Sequence, residues 1–398
     1  MFRGDPLFVE SMVLHIVGDL AFAGIENWLL NVVRLKTSAN STTDIAVTGA
    51  VDPRVRIRFE GFGARILPCP ELYAPLRLLR NLRRILLEYG PYDLLHSHLH
   101  RGNGHVALLG RLCGVPGIVV HSHQDSSRHD ALGNAWDNWK AWTARMLQRA
   151  AADAGLACTE AAGDSLFDRR WRRRSNWHVL PCGADFQPFT RPVDRSALRA
   201  QFGLHPNAFV VGHVGRCDPV KNHDFLLNLA SVYLAANADA CFLLAGDGAL
   251  LPELENRASQ IAPRDRIRFL GAREDVPDLL LGVFDAFVFP SLSEGFSIAL
   301  LEAQVAGLPV VVSDRISKES RILPQVQALS LDLPAEDWCA ALDRARGMRL
   351  KTDTSIEHLR VAGCCVEDSV RSLEELYRKL LSSSALDREI RTRRPSER

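Results

Sequence analysis

The sequence predicts an α/β protein of two successive domains, each a parallel sheet wrapped by helices, with a ligand cleft between them. Three observations carry this expectation. Short apolar runs alternate with longer amphipathic ones along most of the chain, as in repeated strand–helix–strand units. The strand runs are apolar along their length rather than alternating, which suits sheets covered on both faces. At roughly 150 residues per domain, 398 residues make two to three domains.

Taken in order, the first strand is Val13 to Val17, followed by a loop bracketed by Gly18 and Gly24 and a helix over Ile25 to Leu35. Strands follow at Asp44 to Val47 and Ala64 to Leu67, then a helix at Leu76 to Glu88. Leu94-Leu95-His96 and Ile118-Val119-Val120 are the next strands, running into His96-Ser97-His98 and His121-Ser122-His123. A helix over Asn134 to Ala152 and strands at Gly155 to Cys158 and Trp177 to Leu180 complete the first half. Asp185 to Asp194 holds Pro188 and Pro192 without periodicity and reads as the linker. The second half repeats the logic. Its strands are Phe209 to Val214, Cys241 to Leu244, Ile267 to Leu270, Ala286 to Phe289 and Val310 to Val312. Helices fall at Asn222 to Leu234, Leu251 to Gln260, Val276 to Leu281 and Ser297 to Ala306, and a last helix at Cys365 to Leu381.

Composition excludes several classes. With 47% hydrophobic and 24% charged residues the chain has material for real cores and is not a disordered polymer. Lys and Arg number 48 and Asp and Glu 47, a net charge of +1, which offers no general attraction for nucleic acid. The nine cysteines are odd in number and form no CxxC, so neither a disulfide framework nor a structural zinc site is expected, and a reducing, cytoplasmic compartment fits best. Residues 1–11 carry Arg3, Asp5 and Glu10 and no long apolar stretch, so no secretory leader is expected there. No run of eighteen apolar residues predicts a membrane span.

Chemistry concentrates at strand ends. Phe289-Pro290-Ser291-Leu292-Ser293-Glu294-Gly295-Phe296-Ser297 runs from a strand through a turn into a helix that carries Glu302 two turns on. The start of that helix offers the amides of Gly295, Phe296 and Ser297 to a phosphate or sugar oxygen, Glu294 stands beside them, and Glu302 can accept from vicinal hydroxyls. The plainer reading makes Glu294 a helix cap and Glu302 a solvated helical residue. In His213-Val214-Gly215-Arg216-Cys217-Asp218-Pro219-Val220-Lys221-Asn222-His223, two cations flank a helix start, an arrangement suited to a pyrophosphate or simply to two surface charges. Ala245-Gly246-Asp247-Gly248 is a further glycine-rich turn at a strand end. Gly18 and Gly24 do not make GxGxxG, so a dinucleotide fingerprint is weak. The four histidines at 96, 98, 121 and 123 lack an HExxH pattern, and no metal is expected. Arg77, Arg80, Arg83 and Arg84 interleave with leucines, and Arg169, Arg170, Arg172, Arg173 and Arg174 surround Trp171. The first is a candidate for an anionic membrane surface and the second for lipid head groups or nucleic acid, or else both are solvated faces.

Together these segments resemble the retaining glycosyltransferases of family 4, with the GT-B fold of two Rossmann-like domains, and within them the bacterial capsule and exopolysaccharide branch. The resemblance spans about Val13 to Leu381 and rests on HSHLH at 96–100, VVHSH at 119–123, GHVGRCDPVKNH at 212–223, LLAGDG at 243–248, FLG at 269–271 and FPSLSEGFSIALLEAQVAGLPVVVSD at 289–314. It implies an acceptor domain over 12–186, with the helix 365–381 packing back on it, a donor domain over 187–364, and a flexible tail over 382–398. It also implies roles. Glu294 contacts the transferred sugar, Glu302 the ribose, and Arg216 and Lys221 the diphosphate. Gly295, Phe296 and Ser297 supply amides to the sugar or distal phosphate, His123 stands near sugar hydroxyls, and Gly24 belongs to the first-domain ligand loop. Two positions depart from the family pattern: Ala23 replaces a glycine and Cys182 an asparagine. The implied reaction moves a sugar from a nucleotide-diphosphate sugar, UDP foremost, to a glycan or polyprenyl-diphosphate-linked acceptor, without obligatory cofactor or metal. The protein is then peripheral on the inner face of the cytoplasmic membrane and has no nucleic-acid partner. A nucleotide-sugar epimerase of the same fold and a non-catalytic sugar-nucleotide-binding scaffold are the alternatives.

Overall fold

The protein is described by a computed structural model over residues 11–21, 24–36, 42–70, 74–125, 135–168, 170–261 and 264–392. The chain divides into two compact units: one runs to Cys182 and resumes at Glu367, and the other spans Gly183–Val366.

The first unit holds a parallel sheet of β1 (Met12–Val17), β2 (Thr42–Val47), β3 (Arg65–Pro68), β4 (Leu94–Ser97), β5 (Gly117–Ser122), β6 (Ala154–Ala157) and β7 (Trp177–Val179). Their order is β3-β2-β1-β4-β5-β6-β7, so the direction of winding reverses between β1 and β4. Strands β1, β4, β5 and β6 are buried almost throughout, as the unbroken apolar runs predict. The 75–89 helix opens on a proline at its first turn, where the missing N–H costs nothing. Leu78, Leu82 and Ile85 turn inward at helical spacing and are fully covered. Thr159 caps the short helix after β6 by accepting from the Ala162 amide at 3.1 Å.

The last helix, Val366–Thr392, belongs from Glu367 onward to this first unit. Trp28, fully buried on the Gly24–Leu35 helix, donates its indole N–H to Ser369 Oγ at 3.0 Å, and Tyr377 meets His96 Nδ1 through its hydroxyl at 2.5 Å. The helix continues past 382, where a flexible tail is expected, through Thr392, since the leucine, arginine, glutamate and alanine there sustain helical backbone. Residues 393–398 lie outside the described residues.

The second unit repeats the plan with β8 (Phe209–Val214), β9 (Ala240–Ala245), β10 (Ile267–Phe269), β11 (Ala286–Phe289), β12 (Val310–Ser313) and β13 (Val326–Leu329), in the order β10-β9-β8-β11-β12-β13. The reversal falls between β8 and β11. Edge strand β13 is half-buried along its length, and the Pro53–Gly61 helix buries only Val55 and Phe59, so neither leaves a periodic signal in the sequence. All nine cysteines are thiols outside any disulfide, and seven of them are buried.

The Trp28–Ser369 bond ties residues 341 positions apart inside the first core. Ser369→Ala strands the indole N–H in an apolar setting, which is worth about 1–3 kcal/mol. The expected outcome is a lower urea midpoint with an unchanged slope.

Candidate functional site

Parallel strands send every strand-to-helix loop out of one edge of the sheet. In the second unit the loops after β9, β8 and β11, neighbours in that order, meet there. Backbone bonds stitch them together: Gly215 N–H donates to Ala245 O at 2.9 Å, Cys217 N–H to Asp247 O at 2.9 Å, and Leu292 N–H to Val220 O at 2.8 Å. Asn222, held at φ 56°, donates its side-chain amide to Pro290 O at 3.1 Å. The turn after β9 requires glycine. Gly246 has φ 150°, and a Cβ there would stand 1.9 Å from Gly215 O; Gly248 has φ 153°, with its Cβ 2.6 Å from Cys217 O.

This framework joins two candidate residues from different loops. Lys221 Nζ and Glu294 Oε1 form an ion pair of 2.6 Å, with side-chain exposures of only 16% and 13%. The ammonium also lies 4.8 Å above the Phe289 ring. Arg216 behaves differently. It is 61% exposed and pairs at 3.0 Å with Asp218, whose own carboxylate caps the turn before Asn222. The two cations are thus one solvent-facing fork and one half-sheltered point charge already neutralised by Glu294. A cluster with this composition can take an anion at the strand ends, with Lys221 shared between the anion and Glu294.

Ser297 is the N-cap of the Ile298–Val305 helix, its Oγ accepting from Leu300 N–H at 3.4 Å, so the cap that the sequence offers to Glu294 is filled by Ser297. Gly295, Phe296 and Ser297 are buried at this helix start. Glu302 is half-buried on the same helix; burial, and then the charge of Asp185, push its carboxyl up to about 7. Asp185 is a site neighbour that residue spacing did not reveal, being 117 positions earlier in the chain. His213, buried beneath the Gly215 loop, is anchored by Nδ1 to Val288 O at 2.9 Å.

In the first unit the paired histidines converge. Side chains alternate along a strand, so His96 and His98 share one sheet face, as do His121 and His123. His15, opposite His96 in the β1–β4 register, joins them and was not singled out from sequence. His15 Nδ1 and His98 Nε2 lie 3.0 Å apart, and His98 Nδ1 and His123 Nε2 2.8 Å. His123 Nδ1 faces Cys182 Sγ at 3.6 Å. Both ring nitrogens of His123 are therefore engaged inside the unit, and a contact with a sugar hydroxyl requires one of these bonds to open. Desolvation lowers all five imidazoles, His15 and His123 to about 3, so they are neutral at physiological pH. Gly24 opens the helix after β1 and is exposed; Ala23 lies outside the described residues.

The arginine clusters separate on inspection. On the 75–89 helix Arg77, Arg80, Arg83 and Arg84 are exposed, but most of the interleaved leucines serve the core, leaving Leu76 and Leu87 as the outward apolar residues. Near Trp171 the expected lipid-facing aromatics are absent, because Trp171 and Trp177 are buried at 1% and 6% exposure. Arg172 is paired with Asp164 and Glu160, and Arg174 with Asp168 while lying over the Trp177 ring. Arg172 and Arg174 thus clasp the protein's own surface, while Arg170 and Arg173 are exposed; Arg169 lies outside the described residues. Among the described residues no helix is long and apolar enough to cross a membrane.

Comparison with known proteins gives this geometry a family. Residues 15–187 match the family described as Glycosyltransferase Family 4, and residues 194–330 the family described as Glycosyl transferases group 1. The putative glycosyltransferase EpsF of Bacillus subtilis is 34% identical over 376 residues, covering 92% of this chain and 96% of its own. The Escherichia coli UDP-Gal:alpha-D-GlcNAc-diphosphoundecaprenol alpha-1,3-galactosyltransferase is 28% identical over 261 residues, 62% of this chain and 65% of its own. Among solved structures, Anabaena Alr3699/HepE in complex with UDP-glucose superposes with a TM-score of 0.68 at 18% identity, covering 95% of this chain and 99% of that one. The chain belongs to the family 4 glycosyltransferases and has their fold of two Rossmann-like GT-B domains. It is an enzyme that transfers a sugar from a nucleotide-diphosphate sugar to an acceptor.

Glu302 generates a direct test of the site's electrostatics. Carbon-detected NMR of labelled glutamate is expected to show one carboxyl, that of Glu302, titrating at about 7. Asp185→Asn should move it downward, since removing a neighbouring negative charge favours ionisation. A Glu302 carboxyl titrating in the ordinary range would contradict the burial seen here.

Proposed function

We propose that this enzyme takes a UDP-hexose and passes the sugar, with its anomeric configuration retained, to a glycan or polyprenyl-diphosphate-linked acceptor in polysaccharide synthesis at the inner face of the cytoplasmic membrane. The observation that carries the reading is the sheltered Lys221–Glu294 pair at 2.6 Å, set where the strand order of the second sheet reverses, the usual ligand position of such sheets. The Escherichia coli relative, named for UDP-Gal and a diphosphoundecaprenol acceptor, supports the donor and acceptor classes.

In this reading the C1–O bond to the diphosphate breaks with its electron pair leaving on the phosphate oxygen. Arg216 and Lys221 stabilise that developing charge, helped by the amides of Gly295, Phe296 and Ser297. The acceptor oxygen bonds to C1 on the face just vacated, and its proton passes to the departing phosphate oxygen, so no enzymic nucleophile is consumed. Glu294, steadied by Lys221, positions the sugar and supports the positive character at C1. Glu302 accepts from the ribose hydroxyls. Gly24 admits a ligand phosphate close to the backbone. His123, with both nitrogens engaged, acts as a positioning residue for the ligand wall.

A screen of UDP-, GDP- and ADP-hexoses with lipid-linked acceptors, read by mass and by anomeric coupling constants, tests the reading. UDP-sugar turnover to a retained product is expected. An inverted product, or a sugar epimerised without acceptor, would overturn it. Within the site, Arg216→Ala and Lys221→Ala are expected to weaken UDP binding about tenfold or more, roughly 1.4 kcal/mol. Glu294→Gln should keep UDP affinity within a few-fold while turnover falls at least a hundredfold, roughly, as for a group acting mainly at the reacting centre. Equal losses of UDP affinity across all three variants would remove the division of labour.

Membrane attachment rests on the exposed arginines of the 75–89 helix. Anionic vesicles should sediment the protein at low salt and release it at high salt, since exposed charges are screened over about 8–10 Å. Changing Arg77, Arg80, Arg83 and Arg84 to glutamine should abolish the binding. A wild type indifferent to anionic vesicles at low salt would point to a soluble acceptor.

A further inference from the structure

The imidazole face of the first sheet is more than a packed core. His121 is fully buried, and among the described residues neither of its ring nitrogens has a hydrogen-bond partner, nor does Nε2 of the buried His96. Buried polar atoms left this way are rare in folded proteins and call for an ion or water. Beside His121, the nitrogens His98 Nδ1 and His123 Nε2 face each other at 2.8 Å. The far nitrogen of each is already tethered: His98 Nε2 to His15 Nδ1 at 3.0 Å, and His123 Nδ1 to Cys182 Sγ at 3.6 Å. This is the pattern of metal-binding imidazoles, in which the ring nitrogen away from the ion is held by an outer partner that fixes tautomer and orientation.

We propose that His98, His121 and His123 form a site for a borderline divalent transition ion such as Zn2+, with His98 binding through Nδ1, His123 through Nε2 and His121 through one of its unpartnered nitrogens. Ligand atoms of these three residues all lie within 4.8 Å of one another. Neutral imidazole is the ligand type that suits Zn2+, Co2+, Ni2+ and Cu2+. On a tetrahedral ion with Zn–N of about 2.0–2.1 Å, two ligand nitrogens stand about 3.3 Å apart. The His98–His123 pair therefore opens by about half an ångström on binding. His123 is the least buried of the three and gives the ion its approach, and three ligands leave a coordination position open. Trp28 packs against the cluster, its ring centroid 5.3 Å from His121 and 5.7 Å from His123. No sequence motif announces such a site because the ligands come from two strand ends rather than from one helix or knuckle. It lies wholly in the first unit, shares His123 with the ligand wall assigned above, and uses none of Arg216, Lys221, Glu294 and Glu302.

The experiment uses the full chain, stripped with a chelator and titrated with Co2+ as the optical probe. The intense visible bands of low-coordinate cobalt are expected, saturating at one ion per chain and displaced by Zn2+. His121→Phe keeps a ring of similar size without nitrogens and should weaken Co2+ at least about tenfold. The exposed His358→Gln should leave it unchanged. X-ray absorption on the zinc-loaded wild type counts the ligands without any variant, and three imidazoles are expected. A folded wild type with no cobalt bands, two or fewer imidazoles on the zinc, or undiminished affinity in folded His121→Phe would each overturn the proposal.

Discussion

Within each sheet all the described strands run parallel, and the rest of each unit depends on that constraint. A parallel sheet places all its strand-to-helix turns along a single edge, so residues scattered over a hundred positions of sequence are delivered to one line of loops. In the second unit that edge is locked by loop-to-loop backbone bonds, and these work only because Gly246 and Gly248 hold positive φ against the carbonyls of Gly215 and Cys217. A side chain at either turn would push the β8 and β9 loops apart and with them the position of Lys221.

The charges assembled there are balanced rather than simply positive. Lys221 is sheltered and already carries a partner in Glu294, while Arg216 reaches into water. In the proposed function an incoming diphosphate would meet an exposed fork and a sheltered point charge, competing with Glu294 for the same ammonium, and its loss after transfer would restore the pair. Glu302 adds a second adjustable element, because burial and Asp185 bring its ionisation close to neutral pH. In the proposed function, hydroxyl donors arriving at that carboxylate would relieve the desolvation that raised it.

The first sheet uses the same geometry for different material. Alternation along β4 and β5 and the register with β1 stack five imidazoles on one face. The Gly24–Leu35 helix covers them with Trp28, and the last helix reaches them with Tyr377. Ser97 and Ser122 point to the other face, bonded to Asn103 and to Ala162 O. Burying so many rings is tolerated because several bond one another as neutral tautomers, and Cys182, at the end of this unit, extends the chain of contacts from His123. The departure of Cys182 from the family pattern thus has a local partner.

The sequence by itself determined the α/β alternation, the buried parallel strands and the strand-end loops carrying Arg216, Lys221, Glu294 and Glu302, because apolar runs, glycine turns and helix starts are local properties of neighbouring residues. The family resemblance, resting on those same loops, supplied the reaction. Elements with little buried surface, such as Pro53–Gly61 and edge strand β13, left no periodic trace. Only the tertiary structure decided which charges meet: that Lys221 is paired with Glu294, that burial and then Asp185 raise Glu302, that Ser297 rather than Glu294 caps the helix, and that Arg172 and Arg174 beside Trp171 are paired with nearby carboxylates. It also decided that His15 and Tyr377 join the four histidines. Partners, burial and pKa depend on distances between residues far apart in the chain, and those distances are set by how the sheet is wound.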